Sequence, residues 1–155
     1  MAFSLVTPNP SCSFAGKCQK PCGFSNSSKK NEYLQLKSCD ADARKHLAAV
    51  HLSKSGLREY EIILARAGIF RYKESCLEGM VVCSTHRDEL GKYWRAPRPC
   101  QYPGHKPSKP KKWQRDRHVI NLELASKIMD EFQCVVPIGS REYPCILRSV
   151  HFITW

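Results

Sequence analysis

Two short pairs of cysteine and histidine constrain this chain more than any other feature of its sequence. Cys83 and His86 form the first pair, and Cys100 and His105 form the second, so the motif is C-x2-H-x13-C-x4-H. A tetrahedral zinc ion needs about four nitrogen or sulfur donors, and each close pair supplies two of them. The intervening residues predict a short helix and then a proline-containing turn that returns the chain. The motif therefore predicts a structural Zn²⁺ site; the alternative is two buried thiols and two surface histidines.

The cysteine count bears on the compartment. The sequence has nine cysteines, and its first eight residues lack the basic segment and long apolar run of a secretory signal. In a reducing compartment, thiols serve as metal ligands or core residues rather than as disulfides. We therefore expect an intracellular protein, with four disulfides and one free thiol as the competing account for a secreted chain. No run approaches the ~20 apolar residues of a membrane helix, so we expect a soluble protein with no membrane partner.

A second candidate metal site lies nearer the N-terminus. Cys18 and Cys22 are separated by three residues in turn-forming sequence, which is a plausible spacing for two ligands on one turn. Its remaining ligands would come from Cys39, His46 and His51, the last two in an H-x4-H arrangement. The alternative, which carries equal weight, is an ordinary amphipathic helix with two solvated histidines.

Positive charge concentrates around the first motif. Lys and Arg number 25 against 14 Asp and Glu, a formal charge of +11, and residues 87–117 hold ten basic residues against three acidic ones. Such an excess favours anionic partners, either nucleic acid or an acidic protein surface. The candidate nucleic-acid-binding residues are Arg95, Arg98, Lys106, Lys109, Lys111, Lys112, Trp113, Arg115 and Arg117, in which Trp113 would stack on a base. Residues 106–118 are alternatively an import signal or a solvated linker.

Hydrophobic periodicity predicts the secondary structure. A helix is expected from about residue 57 to a glycine cap at Gly68, with Glu59 and Arg66 on its polar face. A second helix is expected over 122–132, capped by Asn121. Short strands are expected at 69–72 and 80–82, and a strand followed by a turn is expected over 134–139.

These elements predict an α+β fold, namely a small helix-rich domain that contains short strands and is stabilised by bound zinc. We divide the chain into an irregular Cys-containing segment (1–32), a helical region (33–75), a zinc-binding module (76–105), a basic linker (106–118) and a C-terminal helix plus strand (119–155).

Two local resemblances accompany the zinc motif. Residues 80–105 are similar to Cys/His-rich zinc domains of poorly characterised animal proteins, which carry a C-x2-H-R…L-G…W…C-x4-H signature. The matching residues are Cys83, His86, Arg87, Leu90, Gly91, Trp94, Cys100, Pro103 and His105. Residues 43–51 resemble the second half of a Cys2His2 zinc finger, in which a helix carries two histidines toward the metal. Both resemblances imply metal binding, and neither implies a substrate.

The sequence favours binding over catalysis. A zinc deaminase needs P-C-x2-C after its H-x-E motif, and here position 103 is proline. No phosphate-binding glycine-rich loop or dinucleotide motif is present either. We therefore predict a nuclear, zinc-containing protein, not an enzyme, that binds nucleic acid, for example as a DNA-binding transcription regulator. The alternative is a zinc-stabilised adaptor that docks an acidic protein partner without binding nucleic acid.

Overall fold

The structure is a computed structural model that describes residues 11–18, 20–22, 32–96 and 119–141. Within these ranges it contains five α-helices and a two-stranded antiparallel sheet, which confirms the predicted α+β class. In chain order the elements are β1 (Tyr33–Gln35), α1 (Arg44–Ala49), α2 (Glu59–Arg66), α3 (Glu74–Glu78), β2 (Val81–Cys83), α4 (Ser84–Leu90) and α5 (Leu122–Phe132). None of the helices described is long and apolar enough to cross a membrane.

Helix α2 is shared by both clusters of buried side chains. Residues 62–66 are all buried, as expected for a helix with neighbours on every side. The helix begins where Glu61 Oε2 accepts a 2.7 Å hydrogen bond from the Arg58 amide, and the chain leaves it through Gly68 at φ +79°. A β-carbon at Gly68 would lie 2.6 Å from Val135 Cγ2, so glycine is required for this close approach.

The buried side chains of the described residues form two core clusters. The first core cluster joins the N-terminal segment, the sheet and α4; its buried members are Cys12, Phe14, Leu36, Cys39, Ile63, Leu64, Ala67, Leu77, Val82, Cys83 and Leu90. The second core cluster joins α1 to α5; its buried members are Ala43, Leu47, Leu52, Ile62, Ala65, Ile120, Ala125, Ile128, Val136 and Ile138. The first cluster draws on the 1–32, 33–75 and 76–105 segments, and their division into domains stays a prediction.

Strand β2 is bordered by two parts of the chain. It pairs with β1 in antiparallel register, with Tyr33 opposite Cys83. Val81 is also bonded to the N-terminal segment: its carbonyl accepts a 2.7 Å hydrogen bond from the Ser13 amide, and its amide donates to Ser13 Oγ at 2.9 Å. Ser13 therefore holds the N-terminal segment close to the start of β2.

The predicted strands are confirmed only in part. The expected strand at 80–82 appears as β2, shifted by one residue. Residues 69–72 and 134–139 are not strands; the latter range contains a turn at Ile138 and Gly139. Ile69 packs against the first core cluster and Val136 is buried in the second, and neither residue belongs to a strand. The apolar pattern that suggested strands therefore reflects burial alone.

The start of α5 gives a first prediction about stability. Asn121 Oδ1 accepts a 2.9 Å hydrogen bond from the Leu124 amide, which confirms the predicted cap. Replacing Asn121 with alanine is expected to lower the free energy of unfolding by about 1 kcal/mol, measured by urea titration. Asn121→Ser keeps a capping oxygen and should recover most of the loss. Equal losses in the two variants would contradict the capping role.

Candidate metal centre

A strand and a helix meet at the first predicted ligand pair. Cys83 ends β2 and directly precedes Ser84, the first residue of α4, so His86 lies in the first turn of that helix. The two-residue spacing brings His86 Nδ1 to 3.0 Å from Cys83 Sγ. Both side chains are 0% exposed. The geometry therefore brings this pair together inside the protein.

Two cysteines from the N-terminal segment complete a group of four donors. Cys12 Sγ lies 3.6 Å from His86 Nδ1, and Cys22 Sγ lies 3.7 Å from the same atom. The four donor atoms of Cys12, Cys22, Cys83 and His86 all lie within 4.8 Å of one another. Cys12 is buried next to the fully buried Phe14, whereas Cys22 is exposed. These four residues, called the metal cluster below, can hold a metal ion.

The distances within the metal cluster suit a tetrahedral ion. With Zn–S bonds of about 2.3 Å and Zn–N bonds of about 2.1 Å, tetrahedral angles separate sulfur from nitrogen by roughly 3.6 Å. The sulfurs of Cys12 and Cys22 lie 3.6 and 3.7 Å from His86 Nδ1, and that of Cys83 lies 3.0 Å away. Two of the three separations therefore match, and the third requires a shift of about 0.6 Å.

Metal binding would change the protonation state of the metal cluster. Burial raises the pKa of Cys12, and desolvation together with the nearby Cys12 and Cys83 sulfurs raises the pKa of Cys22 to about 11. Burial lowers the pKa of His86, so its imidazole is neutral at neutral pH. At these raised pKa values Cys12 and Cys22 hold their protons at neutral pH, and a divalent ion would displace the protons and hold the sulfurs as thiolates. The Cys83 amide donates to Cys12 Sγ at 3.3 Å, which also favours a thiolate.

The imidazole of His86 shows which nitrogen would bind the metal. Its Nε2 is buried and has no hydrogen-bond partner among the described residues. A ligating histidine usually donates its second N–H to a partner, and an unpaired buried donor costs about 1–3 kcal/mol. The polar neighbours that the structure gives this ring are the three sulfurs around Nδ1. Nδ1 is therefore the atom that would bind a metal ion, and in that case the proton of the neutral ring would be on Nε2.

An ion pair fixes α4 next to the metal cluster. Arg87 donates from Nε to Glu59 Oε1 at 2.7 Å and from Nη2 to Glu59 Oε2 at 2.9 Å. Burial of Glu59 opposes ionisation, but the Arg87 guanidinium and the Ala41 amide outweigh it, and the pKa of Glu59 lies below its ordinary value. Because Arg87 follows His86 directly, this bidentate pair ties the helix that carries His86 to α2.

The second predicted pair lies outside the part of the chain that the structure describes. Neither Cys100 nor His105 belongs to the described residues, so the ligand set of Cys83, His86, Cys100 and His105 stays a prediction.

The candidates for a second site are dispersed. Cys22 belongs to the metal cluster, and Cys18 lies outside it, with its sulfur donating to the Lys20 carbonyl at 3.5 Å. Cys39 is fully buried in the first core cluster, and His51 is exposed. Across residues 11–18, 20–22, 32–96 and 119–141, the metal cluster is the one group of three or more His, Cys, Asp or Glu side chains close enough to hold a metal.

His46, the remaining candidate for the second site, interacts with a cation instead. Its Nε2 lies 2.9 Å from Nη2 of the buried Arg66, so the neutral ring accepts a hydrogen bond from the guanidinium. Desolvation and the Arg66 charge lower the pKa of His46. A metal ion at Nε2 would have to displace this hydrogen bond next to a positive charge.

The His46 environment predicts a pH-dependent stability. Because the folded-state pKa of His46 lies below its ordinary value of 6.5, its contribution is fully present above pH 6.5 and is lost as the pH falls through the folded-state pKa. His46→Gln keeps a hydrogen-bond acceptor but does not titrate. With zinc in excess, the variant should lose less unfolding free energy than the unmodified chain between pH 7 and 5, measured by urea titration. Identical losses would contradict this role for His46.

Sequence reasoning did not identify Cys12 as a ligand. Zinc ligands are usually recognised as pairs two to four residues apart, and nine residues separate Cys12 from Cys22. Tertiary packing brings Cys12 close to Cys83 and His86, because Phe14 is buried in the first core cluster and Ser13 bonds to β2. The only local signal was the turn-rich sequence that surrounds all three N-terminal cysteines.

The predicted nucleic-acid-binding residues fall mostly outside the described ranges. Arg95 is described and is exposed, close to the exposed Lys92 and Tyr93. The Lys92 ammonium lies 5.5 Å from the centre of the Tyr93 ring. The other candidates lie outside the described residues: Arg98, Lys106, Lys109, Lys111, Lys112, Trp113, Arg115 and Arg117.

Comparison with known proteins identifies no relative of this chain. No protein-family model, no curated protein and no solved structure matches the chain. The resemblance to Cys/His-rich zinc domains therefore stays a prediction. The metal cluster, with three cysteine sulfurs and one histidine nitrogen, is the feature on which a function can be argued.

Proposed function

We propose that this chain is a zinc-binding protein that uses a structural zinc ion to present a basic surface to nucleic acid. The observation that carries the zinc proposal is the proximity of Cys12, Cys22, Cys83 and His86, whose donor atoms lie within 4.8 Å of one another. Three soft sulfurs and one imidazole form a donor set that suits zinc and does not suit magnesium or calcium, which prefer oxygen.

The number of ligands favours a structural role for the zinc. Catalytic zinc keeps one coordination position open for water or substrate, whereas structural zinc takes four protein ligands. The metal cluster supplies four donors, of which Cys83 and His86 are fully buried. An ion bound to all four would have no vacant position in a tetrahedral shell.

The metal would join parts of the chain that are distant in sequence. Cys12 and Cys22 belong to the N-terminal segment, and Cys83 and His86 belong to the junction of β2 and α4. The other described polar links between these parts include the Ser13 bonds to β2 and an exposed Lys20–Glu89 ion pair of 2.6 Å. Exposed ion pairs contribute little, typically 0 to about 1 kcal/mol. Zinc coordination would therefore be the strongest polar interaction between the N-terminal segment and the junction of β2 and α4.

Charge supports the nucleic-acid proposal. The chain carries +11 formal charges, and residues 87–117 follow the His86 ligand with ten basic residues against three acidic ones. Positive residues that contact phosphates provide most of the non-specific affinity for nucleic acid. An adaptor could dock a partner through the apolar face of helix 122–132, but Ala125 and Ile128 of α5 are buried in the second core cluster.

A charge-neutralisation experiment tests this proposal. The variant replaces Lys111, Lys112, Arg115 and Arg117 with glutamine, and its binding to a fluorescent oligonucleotide is measured from 50 to 300 mM salt. We expect weaker binding and a salt slope reduced by about 3 to 4, since each phosphate contact adds close to one unit. The matched control neutralises four exposed lysines elsewhere, Lys45, Lys54, Lys73 and Lys127, and should keep most of the slope.

Two outcomes would contradict nucleic-acid binding through the basic residues at 111, 112, 115 and 117. One is a flat salt response of the unmodified chain. The other is equal loss in the two four-residue variants, which would show only a net-charge effect. If the unmodified chain bound no oligonucleotide but retained an acidic protein partner after neutralisation of residues 111–117, the adaptor function would replace this proposal.

A further inference from the structure

We propose that Cys22 is a peroxide-oxidation site, and that its oxidation to a Cys12–Cys22 disulfide releases the zinc ion. This inference rests on the proposed zinc function and concerns how the same site is regulated. It follows from one exposed cysteine residue placed among buried ones, with their sulfurs all within 4.8 Å of one another.

The exposure of the three thiols identifies the point of attack. Cys83 is 0% exposed and Cys12 is 7% exposed, whereas Cys22 is exposed. Oxidation by peroxide needs a thiolate that the oxidant can reach, and metal coordination keeps these sulfurs deprotonated. Cys22 is therefore the ligand that combines thiolate character with access.

The reaction balances with hydrogen peroxide as the oxidant. The Cys22 thiolate attacks one peroxide oxygen, which forms a sulfenic acid and releases hydroxide. The Cys12 thiolate then attacks the Cys22 sulfur, forms the S–S bond and displaces a second hydroxide. Two sulfurs together lose two electrons, the two peroxide oxygens gain them, and protons from solvent convert both hydroxides to water.

Chain connectivity favours Cys12 as the second thiol. Cys12 and Cys22 belong to one N-terminal segment and close a short loop. Cys83 is fixed at the end of β2, where its residue pairs with Tyr33, and moving it would disturb the sheet. A Cys12–Cys22 disulfide leaves only Cys83 and His86 as ligands, which is half of the four-ligand shell of a structural zinc. Zinc would then leave.

The test uses the full chain, reduced and loaded with zinc. Hydrogen peroxide is added, released zinc is measured with a chromogenic chelator, and disulfides are located by peptide mass spectrometry. We expect about one zinc released for each Cys12–Cys22 disulfide formed, and recovery of zinc binding after treatment with a reductant. Cys76→Ser, which removes an exposed thiol on α3 outside the metal cluster, should behave like the unmodified chain.

The outcomes separate this inference from the proposed function. If the reduced chain binds zinc but peroxide does not release it, or if the disulfide joins other cysteines, the oxidation site is wrong and the zinc function stands. If Cys76→Ser prevents release, Cys76 and not Cys22 is the reacting thiol, and the inference is again overturned. If the reduced chain binds no zinc, the proposed function itself fails.

Discussion

Replacing Cys83 with serine is expected to reduce bound zinc from about one ion per chain to near zero and to unfold much of the N-terminal half. Cys83 is fully buried, its sulfur lies 3.0 Å from His86 Nδ1, and it ends β2. Structural zinc in small peptides contributes about 10–16 kcal/mol, comparable with the entire stability of a domain, which is about 5–15 kcal/mol. Elemental analysis and circular dichroism would measure the two effects.

Two further variants make this result specific. Cys76→Ser removes an exposed thiol and should keep both the zinc and the fold. Cys12→Ser should lose zinc as Cys83→Ser does, because Cys12 Sγ lies 3.6 Å from His86 Nδ1. If Cys83→Ser retained a full complement of zinc, or if Cys76→Ser lost it equally, the metal cluster would not be the zinc site.

The second large effect is expected at Arg66. Its guanidinium is buried and donates from Nη1 to the carbonyls of Leu90 at 3.0 Å and Gly91 at 2.7 Å, and from Nε to the Ile138 carbonyl at 3.2 Å. It also lies 4.0 Å from the centre of the Trp94 ring. Burial lowers the pKa of Arg66 to about 9, so the group is still charged at neutral pH.

Replacing Arg66 with methionine should lower the free energy of unfolding by about 3–5 kcal/mol. Methionine fills the space of the aliphatic stem but removes the hydrogen bonds that Arg66 donates to the three carbonyl groups, of which, among the described residues, only that of Gly91 keeps a second donor, the Trp94 amide at 3.1 Å. Urea titration measures the loss. Arg71→Met is the matched control, because Arg71 is exposed and its ion pair with Asp130 should contribute at most about 1 kcal/mol. Similar losses in the two variants would contradict the structural role of Arg66.

Local sequence signals predicted the features that depend on neighbouring residues. The C-x2-H spacing of Cys83 and His86 brings two donors together because a strand runs directly into a helix. Asn121 caps α5 because its side chain reaches an amide three residues ahead. The α+β class followed from the same short-range periodicities.

Features created by tertiary packing were not predicted. Cys12 is 71 residues from Cys83 in sequence, and no spacing rule connects them. The polar face expected for α2 was also partly wrong, since Glu59 and Arg66 are buried at 1% and 2% exposure. Both core clusters include residues of α2, and its charged residues pair with the half-buried Arg87 and with carbonyl groups distant in sequence. A helical pattern alone cannot reveal partners on both sides.

X-ray absorption at the zinc edge of the purified, reduced chain tests the central claim most directly. The metal cluster predicts about three sulfur ligands near 2.3 Å and one nitrogen ligand near 2.0 Å. The set predicted from the motif alone, with Cys100 and His105 in place of Cys12 and Cys22, would give two sulfurs and two nitrogens. A spectrum with two sulfurs and two nitrogens, or a chain without zinc, would contradict the assignment of Cys12, Cys22, Cys83 and His86 as the zinc site.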